Sequence, residues 1–341
     1  MTDPQRSTTG VDTRGSASAP APDRNELLRR LRRRAHSLPD RLSERIFGQP
    51  EAVARVSQSV RRAAAGLSEL RRPLGSFLFV GPTGTGKTEM ARAMAEEVYA
   101  NPDALIRLDC SDFSHGHEIS RLMGSPPGYV GYESGGSLTK ALRRNPRAVV
   151  LFDEVEKAHS NLHNLMLQIL DEGQLADQNG DPVSFDQALV VLTSNAGATE
   201  LHEASQPLGF QGCPLEEDAV EEITGSALFR HFSPEFLGRI DERVTFLPLT
   251  RSHARSIARR ELGLLAKRLV SRPVRVRFTR AVADWVAERA YADAAGARGI
   301  RAVIRREIEA PLADKLLALG SRRKTWLVAR VRRGKLALEA E

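Results

Sequence analysis

The sequence predicts an α/β protein with a doubly wound parallel sheet, followed by a smaller and mostly helical unit. After Pro73, short β-branched and apolar runs alternate with stretches of helical periodicity, as in strands joined by crossover helices. From Arg251 onward helical periodicity dominates and strand-like pieces become few. We therefore expect three parts: a disordered tail over 1–24, an α/β core over 25–248, and a helical lid with short C-terminal strands over 249–341.

The predicted tail is rich in Ser, Thr, Pro, Gly and Ala and holds almost no large apolar side chains. It cannot bury enough surface to offset the entropy of ordering. In the rest of the chain, strands are predicted where β-branched and apolar residues run together, and helices where apolar residues follow a helical period. The predicted strands are 77–80, 105–108, 149–152, 189–193, 244–247, 274–278 and 326–331. The predicted helices are 25–34, 51–70, 89–99, 159–170, 251–270, 279–291 and 299–319.

The charge balance is basic but does not predict a nucleic-acid partner. The 341 residues include 50 Lys and Arg against 43 Asp and Glu, for a net charge of +7, and 5% of them are aromatic. A basic run can bind nucleic acid, yet no aromatic residues interleave with the basic runs as a base-stacking surface requires. The run 29–34 shares its segment with Leu27, Leu28 and Leu31, which favours a solvated helix face.

The sequence also predicts the compartment. No apolar run approaches the length of a membrane span, so we expect no membrane partner. The N-terminal residues lack the apolar core of a signal peptide, and the chain has only two cysteines. Both observations favour a reducing cytoplasm.

A glycine-rich segment follows the first predicted strand. Its residues are Gly81, Pro82, Thr83, Gly84, Thr85, Gly86, Lys87 and Thr88. Two glycines that bracket four residues before Lys and Ser or Thr form the phosphate-loop pattern, in which backbone N–H groups and a helix N-terminus surround one anion. We expect Lys87 to reach the β- and γ-phosphates and Thr88 to hold Mg²⁺. The segment predicts binding of a nucleoside triphosphate.

Two carboxylates come directly after the predicted strand 149–152. A buried parallel strand places the residues that follow it at the carboxyl edge of the sheet, where ligands of open α/β sheets bind. Asp153 is then expected to bind the metal through its water shell, and Glu154 to orient and deprotonate a water for attack on the γ-phosphate. This pair predicts that the nucleotide is hydrolysed.

A further segment, 124–132, places an aromatic residue between glycines. Its residues Gly128, Tyr129, Val130 and Gly131 suit a mobile loop that offers apolar contact to any extended chain. With this segment and those described next, the chain resembles the Clp family of AAA+ protein unfoldases over about residues 40–338. The likeness is greatest to the second ATPase module of the two-module members, and we expect a stand-alone single-module chain. In that family the Gly-Tyr-Val-Gly tract faces the central pore of a hexameric ring and grips the substrate polypeptide.

The resemblance also implies roles for three polar residues around the nucleotide. Asn195 falls at the end of the sensor-1 strand, where it helps to position the attacking water. Arg239 matches the arginine finger, which acts on the γ-phosphate of the neighbouring subunit, although Gly238 stands where the family usually has Asn. Arg298 matches sensor 2, which contacts the phosphates from the same subunit, with Gly299 in the usual place of Pro.

Three further segments complete the resemblance. Ile46 and Gly48 fall where the family contacts adenine, and 173–181 resembles the second pore loop, with Gln174 where a basic residue is frequent. Leu208, Gly209 and Phe210 form an aliphatic–Gly–apolar tripeptide, which docks onto the ClpP peptidase in members that deliver substrates to it. The alternative is a loop that packs Leu208 and Phe210 onto its own domain.

The resemblance implies an AAA+ P-loop ATPase that uses ATP and Mg²⁺ to unfold or remodel proteins by threading them through a ring. The expected partners are further copies of the chain in a hexamer, unfolded or tagged proteins, and a ClpP-like peptidase. Two alternatives stay open. One is a nucleotide-switched assembly module that threads nothing, and the other is an AAA+ ATPase that acts on nucleic acid, supported only by the basic balance.

Overall fold

The computed structural model describes residues 23–124, 136–204, 217–270, 274–292, 296–319 and 325–340. Most of the predicted tail, the candidate pore-loop residues 128–131 and the tripeptide 208–210 lie outside these ranges. Among the described residues, no helix combines the length and the apolar content needed to cross a bilayer.

The described part contains the following strands and helices. The strands are β1 Gly75–Val80, β2 Leu105–Asp109, β3 Val149–Asp153, β4 Gln174–Ala176, β5 Pro182–Ser184, β6 Leu189–Ser194, β7 Glu242–Thr245, β8 Val274–Phe278, β9 Thr325–Arg332 and β10 Lys335–Ala340. The α-helices are α1 Arg24–Ala35, α2 Leu38–Ser43, α3 Pro50–Ala65, α4 Lys87–Tyr99, α5 Ser120–Met123, α6 Ser137–Arg144, α7 Ser160–Glu172, α8 Ala198–Ala204, α9 Glu217–His231, α10 Pro234–Gly238, α11 Arg251–Arg268, α12 Arg280–Ala292, α13 Gly296–Ile304 and α14 Ala310–Leu319.

A five-stranded parallel sheet forms the centre of the core, in the order β2-β3-β6-β1-β7. Successive side chains of a strand point to opposite faces, so Leu78 and Val80 pack on one side of the sheet and Phe77 and Phe79 on the other. The first side is covered by helices that include α6 and α7, and the second by α1 to α4. Burial on both faces explains why β1, β3 and β6 read as continuous apolar runs. The predicted doubly wound α/β fold is confirmed.

The residues after Arg251 have a hydrophobic cluster of their own. It is formed by apolar side chains of α11 to α14 and of a three-stranded sheet in the order β10-β9-β8. Strand β10 is missing from the predicted strands. It pairs with β9 through a two-residue turn at Arg333 and Gly334, whose φ angles of +48° and +74° suit a tight hairpin.

Several predicted boundaries are wrong for identifiable reasons. Helix α3 ends at Ala65 and not at residue 70, because Gly66 adopts φ +84° and its N–H donates to Ala63 O, which caps the helix. Leu67 and Leu70, predicted to be helical, are exposed. Strand β7 begins and ends two residues earlier than predicted, because it pairs in register with β1 from Phe77 to Val80.

Two further segments differ in detail. The predicted helix 299–319 begins at Gly296 and contains a π-helical turn over Arg305–Glu309, which separates α13 from α14. The segment 173–181, which resembles the second pore loop, forms β4 and the turn of a hairpin with β5.

Candidate nucleotide-binding site

A cleft of about 220 Å³ lies between the α/β core and the lid helices α11 and α13. Its core wall is formed by residues 45–47, 83–89, 92, 107, 153, 154, 193 and 195, and its lid wall by residues 249, 257, 260, 261, 297, 298 and 301. Most of the predicted site residues in the described part line this cleft, namely Ile46, 83–88, Asp153, Glu154, Asn195 and Arg298. Gly48, Gly81, Pro82 and Arg239 do not.

The phosphate-loop segment turns the chain from β1 into α4. Gly81 has φ +140° and Gly86 has φ +113°, values that side chains with a Cβ rarely adopt. At Gly81 a Cβ would also lie 2.2 Å from the Phe246 carbonyl oxygen of the neighbouring chain segment. Helix α4 begins at Lys87, so its first N–H groups, which have no partner within the helix, lie at the cleft. The segment therefore presents a helix N-terminus whose N–H groups could bind an anion.

Lys87 lies at the base of this loop and is 7% exposed. Its ammonium donates to the carbonyl oxygens of Gly81 and Pro82 and, at 2.9 Å, to Asn195 Oδ1. Burial lowers the pKa of Lys87 to about 8, against the opposing effect of the Glu156, Asp153 and Glu154 carboxylates. The lysine is thus held by acceptors that a phosphate group could replace.

Asp153 is the last residue of β3 and is 4% exposed. Its carboxylate accepts a hydrogen bond from Thr193 Oγ1 at 2.5 Å and lies 2.8 Å from Arg107 Nη2. Thr88 Oγ1 lies 3.5 Å from both Asp153 carboxylate oxygens. A hydroxyl and a carboxylate at this separation fit a hydrated Mg²⁺, which takes oxygen ligands and keeps several of its waters.

Glu154 directly follows β3 and adopts φ +61°, a left-handed conformation that is uncommon for a residue with a side chain. Its N–H donates to Thr193 Oγ1 at 3.0 Å, and its Oε2 lies 2.5 Å from Lys157 Nζ. Outliers of this kind cost free energy and cluster at functional sites. The turn places the carboxylate in the wall of the cleft.

Asn195 joins the ends of three strands. It directly follows β6, and its Oδ1 accepts from Lys87 and, at 3.3 Å, from Thr83 Oγ1 in the phosphate-loop segment. Its N–H donates to Glu156 Oε1, just beyond β3, at 3.1 Å. Because β6 lies between β1 and β3 in the sheet, the side chains that follow these strands meet at one edge.

The lid contacts the phosphate loop directly. The Ala297 N–H donates to Gly84 O at 3.0 Å. Gly296 has φ +55°, and a Cβ there would lie 2.8 Å from the same oxygen. Helix α13 thus begins against the loop, and Arg298, an exposed residue in its first turn, lines the cleft.

Gly48 and Arg239 lie outside the cleft. Gly48 has φ +72°, and a Cβ there would lie 2.2 Å from His253 Nδ1 of α11, so it packs where the core meets the lid. Arg239 caps α10 and lies 2.5 Å from Asp171 Oδ1 of α7, with 45% of its side chain exposed. The action of Arg239 on a neighbouring copy stays a prediction.

Sequence reasoning missed several charged and polar residues of the cleft. Arg107 and Thr193 contact Asp153 from the strands on either side of β3, and knowledge of the strand order would have identified them. The other missed charged residues of the cleft carry no motif of their own; they are Arg45, Glu89, Arg92, Arg260, Glu261 and Arg301.

Two family models match the chain. Residues 72–243 match the AAA domain (Cdc48 subfamily), and residues 249–325 match the C-terminal, D2-small domain of ClpB protein. The first match covers half of the chain and includes the phosphate-loop segment, Asp153, Glu154, Asn195 and Arg239.

Among the curated relatives are proteins named "Chaperone protein ClpB". The one from Meiothermus ruber is 43% identical over 296 residues, which is 87% of this chain and 33% of that protein. The one from Rhodopirellula baltica is 45% identical over 280 residues, covering 82% of this chain and 31% of that protein. The chain thus spans about a third of the length of these relatives. It belongs to the AAA+ ATPases of the Clp family and resembles their second ATPase module.

Proposed function

We propose that the chain binds ATP and Mg²⁺ in the cleft between core and lid, and couples ATP hydrolysis to the unfolding or remodelling of proteins. The observation that carries this proposal is the meeting of Lys87, Asp153, Glu154 and Asn195 at the edge of one parallel sheet. Three strand ends supply a cation, a candidate metal ligand, a candidate base and a polar amide within one cleft, which is what phosphoryl transfer to water requires.

Lys87 would exchange its contacts with Pro82 and Asn195 for the β- and γ-phosphate oxygens. Thr88 and Asp153 would hold Mg²⁺, which neutralises charge on those oxygens. Arg107 and Thr193 fix the Asp153 carboxylate from both sides, so its orientation is set before nucleotide binds. On this proposal Ile46 contacts the adenine, as the family resemblance implies.

Glu154 would orient the attacking water and accept its proton. Its backbone N–H is held by Thr193, so the strained turn after β3 fixes the direction of the side chain. Asn195 would position the same water once Lys87 has moved to the phosphates. Arg298 would add positive charge from the lid, where exposed side chains can approach the nucleotide.

Arg239 would act between copies of the chain. It lies outside its own cleft, on the exposed end of α10, which is compatible with a finger that reaches a neighbour's γ-phosphate. A finger that acts on a neighbouring copy requires a ring, and the family resemblance implies that this ring is a homo-hexamer with Gly128, Tyr129, Val130 and Gly131 facing its pore.

The family matches favour remodelling over peptidase delivery. The matched relatives are named as chaperones. Delivery to a ClpP-like peptidase through Leu208, Gly209 and Phe210 stays a prediction, and so does the cytoplasmic location.

The proposal is tested by ATP-dependent unfolding of a tagged fluorescent protein, with the size of the ring measured on the same sample. Fluorescence should fall only when ATP is present, and Tyr129→Ala should abolish this fall while basal ATP hydrolysis persists. Unfolding by Tyr129→Ala at the wild-type rate would contradict threading. ATP hydrolysis stimulated by DNA and not by unfolded protein would instead favour the nucleic-acid alternative.

The ring geometry has its own test in mixed assemblies. Arg239→Ala and Glu154→Gln should each hydrolyse little ATP alone. Mixing them should restore part of the turnover, because some interfaces then pair an intact Arg239 with an intact Glu154. If no mixture regains activity although rings form, Arg239 is not the finger.

A further inference from the structure

A cluster of charged side chains in the walls of the cleft joins the core to the lid. At its centre is Glu89, in the first turn of α4, whose carboxylate lies 3.1 Å from Arg45 and 3.0 Å from Arg92 in the core. The same carboxylate lies 3.5 Å from Arg260 and 3.5 Å from Arg301, which belong to lid helices α11 and α13. We call Glu89, Arg260 and Arg301 the lid latch.

The latch is extended by a second carboxylate within the lid. Glu261 lies 3.0 Å from Arg301 and 3.5 Å from Arg260, so both lid arginines are held between two acids. The side chains of Glu89 and Glu261 are 16% and 13% exposed. Partly buried pairs in a network are screened less by salt than isolated surface pairs, and each arginine is restrained by more than one partner.

The latch connects two groups that the proposed function places at the nucleotide. Glu89 directly follows Lys87 and Thr88 in the same helical turn. Arg301 lies three residues after Arg298 on α13, a spacing that puts the two side chains next to each other on the helix surface. A carboxylate fixed to the phosphate-loop helix therefore holds the helix that carries Arg298.

The lid does not depend on this carboxylate for its packing. Its apolar side chains form a cluster separate from the two clusters of the core. Loss of the Glu89 charge should thus leave the lid folded and change only how it sits over the cleft.

We propose that Glu89 is a positioning residue that holds Arg298 over the phosphate loop through Arg260 and Arg301. This inference rests on the proposed function, because it requires Arg298 to contact bound nucleotide. Glu89 itself touches neither phosphate nor attacking water in this role. Its removal should therefore reproduce the loss of Arg298, and not add to it.

The test compares Glu89→Gln, Arg298→Ala and the double variant by steady-state ATP hydrolysis in the full chain. Glu89→Gln keeps the shape of the side chain and removes its charge, and we expect the KM for ATP to rise roughly 10-fold, a common size for coupling between sites, with a smaller fall in kcat. Adding Arg298→Ala to Glu89→Gln should change KM by less than about twofold, since the first substitution has already released the arginine.

The matched control is Arg268→Ala. Arg268 lies on α11, two turns beyond Arg260, and pairs with Glu309 inside the lid, so its loss should leave the KM unchanged. If Glu89→Gln does not fold, Arg301→Ala removes one of the two lid arginines of the latch while Glu89 keeps Arg45, Arg92 and Arg260. It should raise the KM by a smaller factor, with the same lack of additivity.

If the effects of the two substitutions on KM add fully in the double variant, or if Glu89→Gln leaves KM unchanged, the inference is wrong. ATP hydrolysis by the wild-type chain would still support the proposed function in that case. Absence of ATP hydrolysis by the wild-type chain would overturn both. An Arg298→Ala variant with wild-type kinetics would overturn the inference and the role proposed for Arg298, since no contact would then remain for Glu89 to position, while the proposed ATP hydrolysis would stand.

Discussion

The core wall and the lid wall of the cleft are built differently. On the core wall, Lys87 is 7% exposed and Asp153 is 4% exposed. Lys87 contacts Asn195, which directly follows β6, and Asp153 contacts Thr193 near the end of the same strand. On the lid wall, Arg298 is exposed and the Arg301 side chain is 51% exposed, on a helix that meets the core through the Ala297 N–H and ion pairs. Buried groups with fixed partners cannot reorient cheaply, whereas a long exposed side chain such as that of Arg298 can. We infer that the core wall carries the chemistry and the lid wall adjusts affinity.

The largest expected effect lies on the core wall, at Glu154. Glu154→Gln should lower kcat by about 10²- to 10⁴-fold, because the amide keeps the shape of the side chain but cannot accept the proton of the water. Nucleotide affinity should persist, since Lys87 and the phosphate loop are untouched. Single-turnover hydrolysis and equilibrium binding of a fluorescent ATP analogue measure the two quantities separately. Near-normal turnover would remove Glu154 from the role of base and weaken the contrast between the walls.

An intermediate effect is expected from the protonation of Lys87. Burial lowers the pKa of Lys87 to about 8 in the free chain, whereas bound phosphates favour the charged form and raise that pKa again. Below pH 8 the Lys87 ammonium is already charged in the free chain, so its protonation should not change the affinity for ATP. Above pH 8 binding must take up a proton, and affinity should fall by up to about tenfold per pH unit.

This pH dependence is measured by titrating a fluorescent ATP analogue at constant ionic strength from neutral to alkaline pH. The triphosphate is already fully ionised above pH 8, so a decline there reports on the protein. Affinity that stays level across this range would mean that Lys87 keeps its proton without nucleotide and that its burial matters less than the structure indicates.

The smallest effect is expected on the lid wall, at Gly296. Gly296→Ala places a Cβ at φ +55° and 2.8 Å from Gly84 O, so the start of α13 must move away from the phosphate loop. We expect ATP affinity to fall roughly fivefold with little change in kcat, in keeping with a free-energy cost of about 1 kcal/mol. Equilibrium binding and turnover of the same sample provide the comparison.

A matched glycine in the lid supplies the control. Gly263 lies in α11, and within the described part of the chain no atom of another segment lies within 4 Å of the position that a Cβ would take there. Gly263→Ala should therefore keep nucleotide affinity and stabilise the helix by up to about 1 kcal/mol. If the kcat of Gly296→Ala falls as far as that of Glu154→Gln, the lid wall takes part in the chemistry and does not only adjust affinity.

Much of the fold and of the core wall could be predicted from sequence, because the signals are local. The phosphate-loop pattern, the strand that precedes it and the Asp153–Glu154 pair each lie within a few residues, and they identify nucleotide chemistry before any packing is known. The end of α3 was also locally encoded, by Gly66, although the apolar Leu67 and Leu70 beyond it suggested a longer helix.

Tertiary structure alone decided which distant side chains meet. Lys87 and Asn195 are 108 residues apart in the chain, and Glu89 and Arg301 are 212 apart. The first contact requires β6 to lie beside β1, and the second requires the lid to pack against α4. Strand order and the contact between core and lid depend on the packing of the whole chain, so they cannot be predicted from any short segment. By itself the sequence predicted the chemistry of the site, and packing decided which charged side chains lie around it.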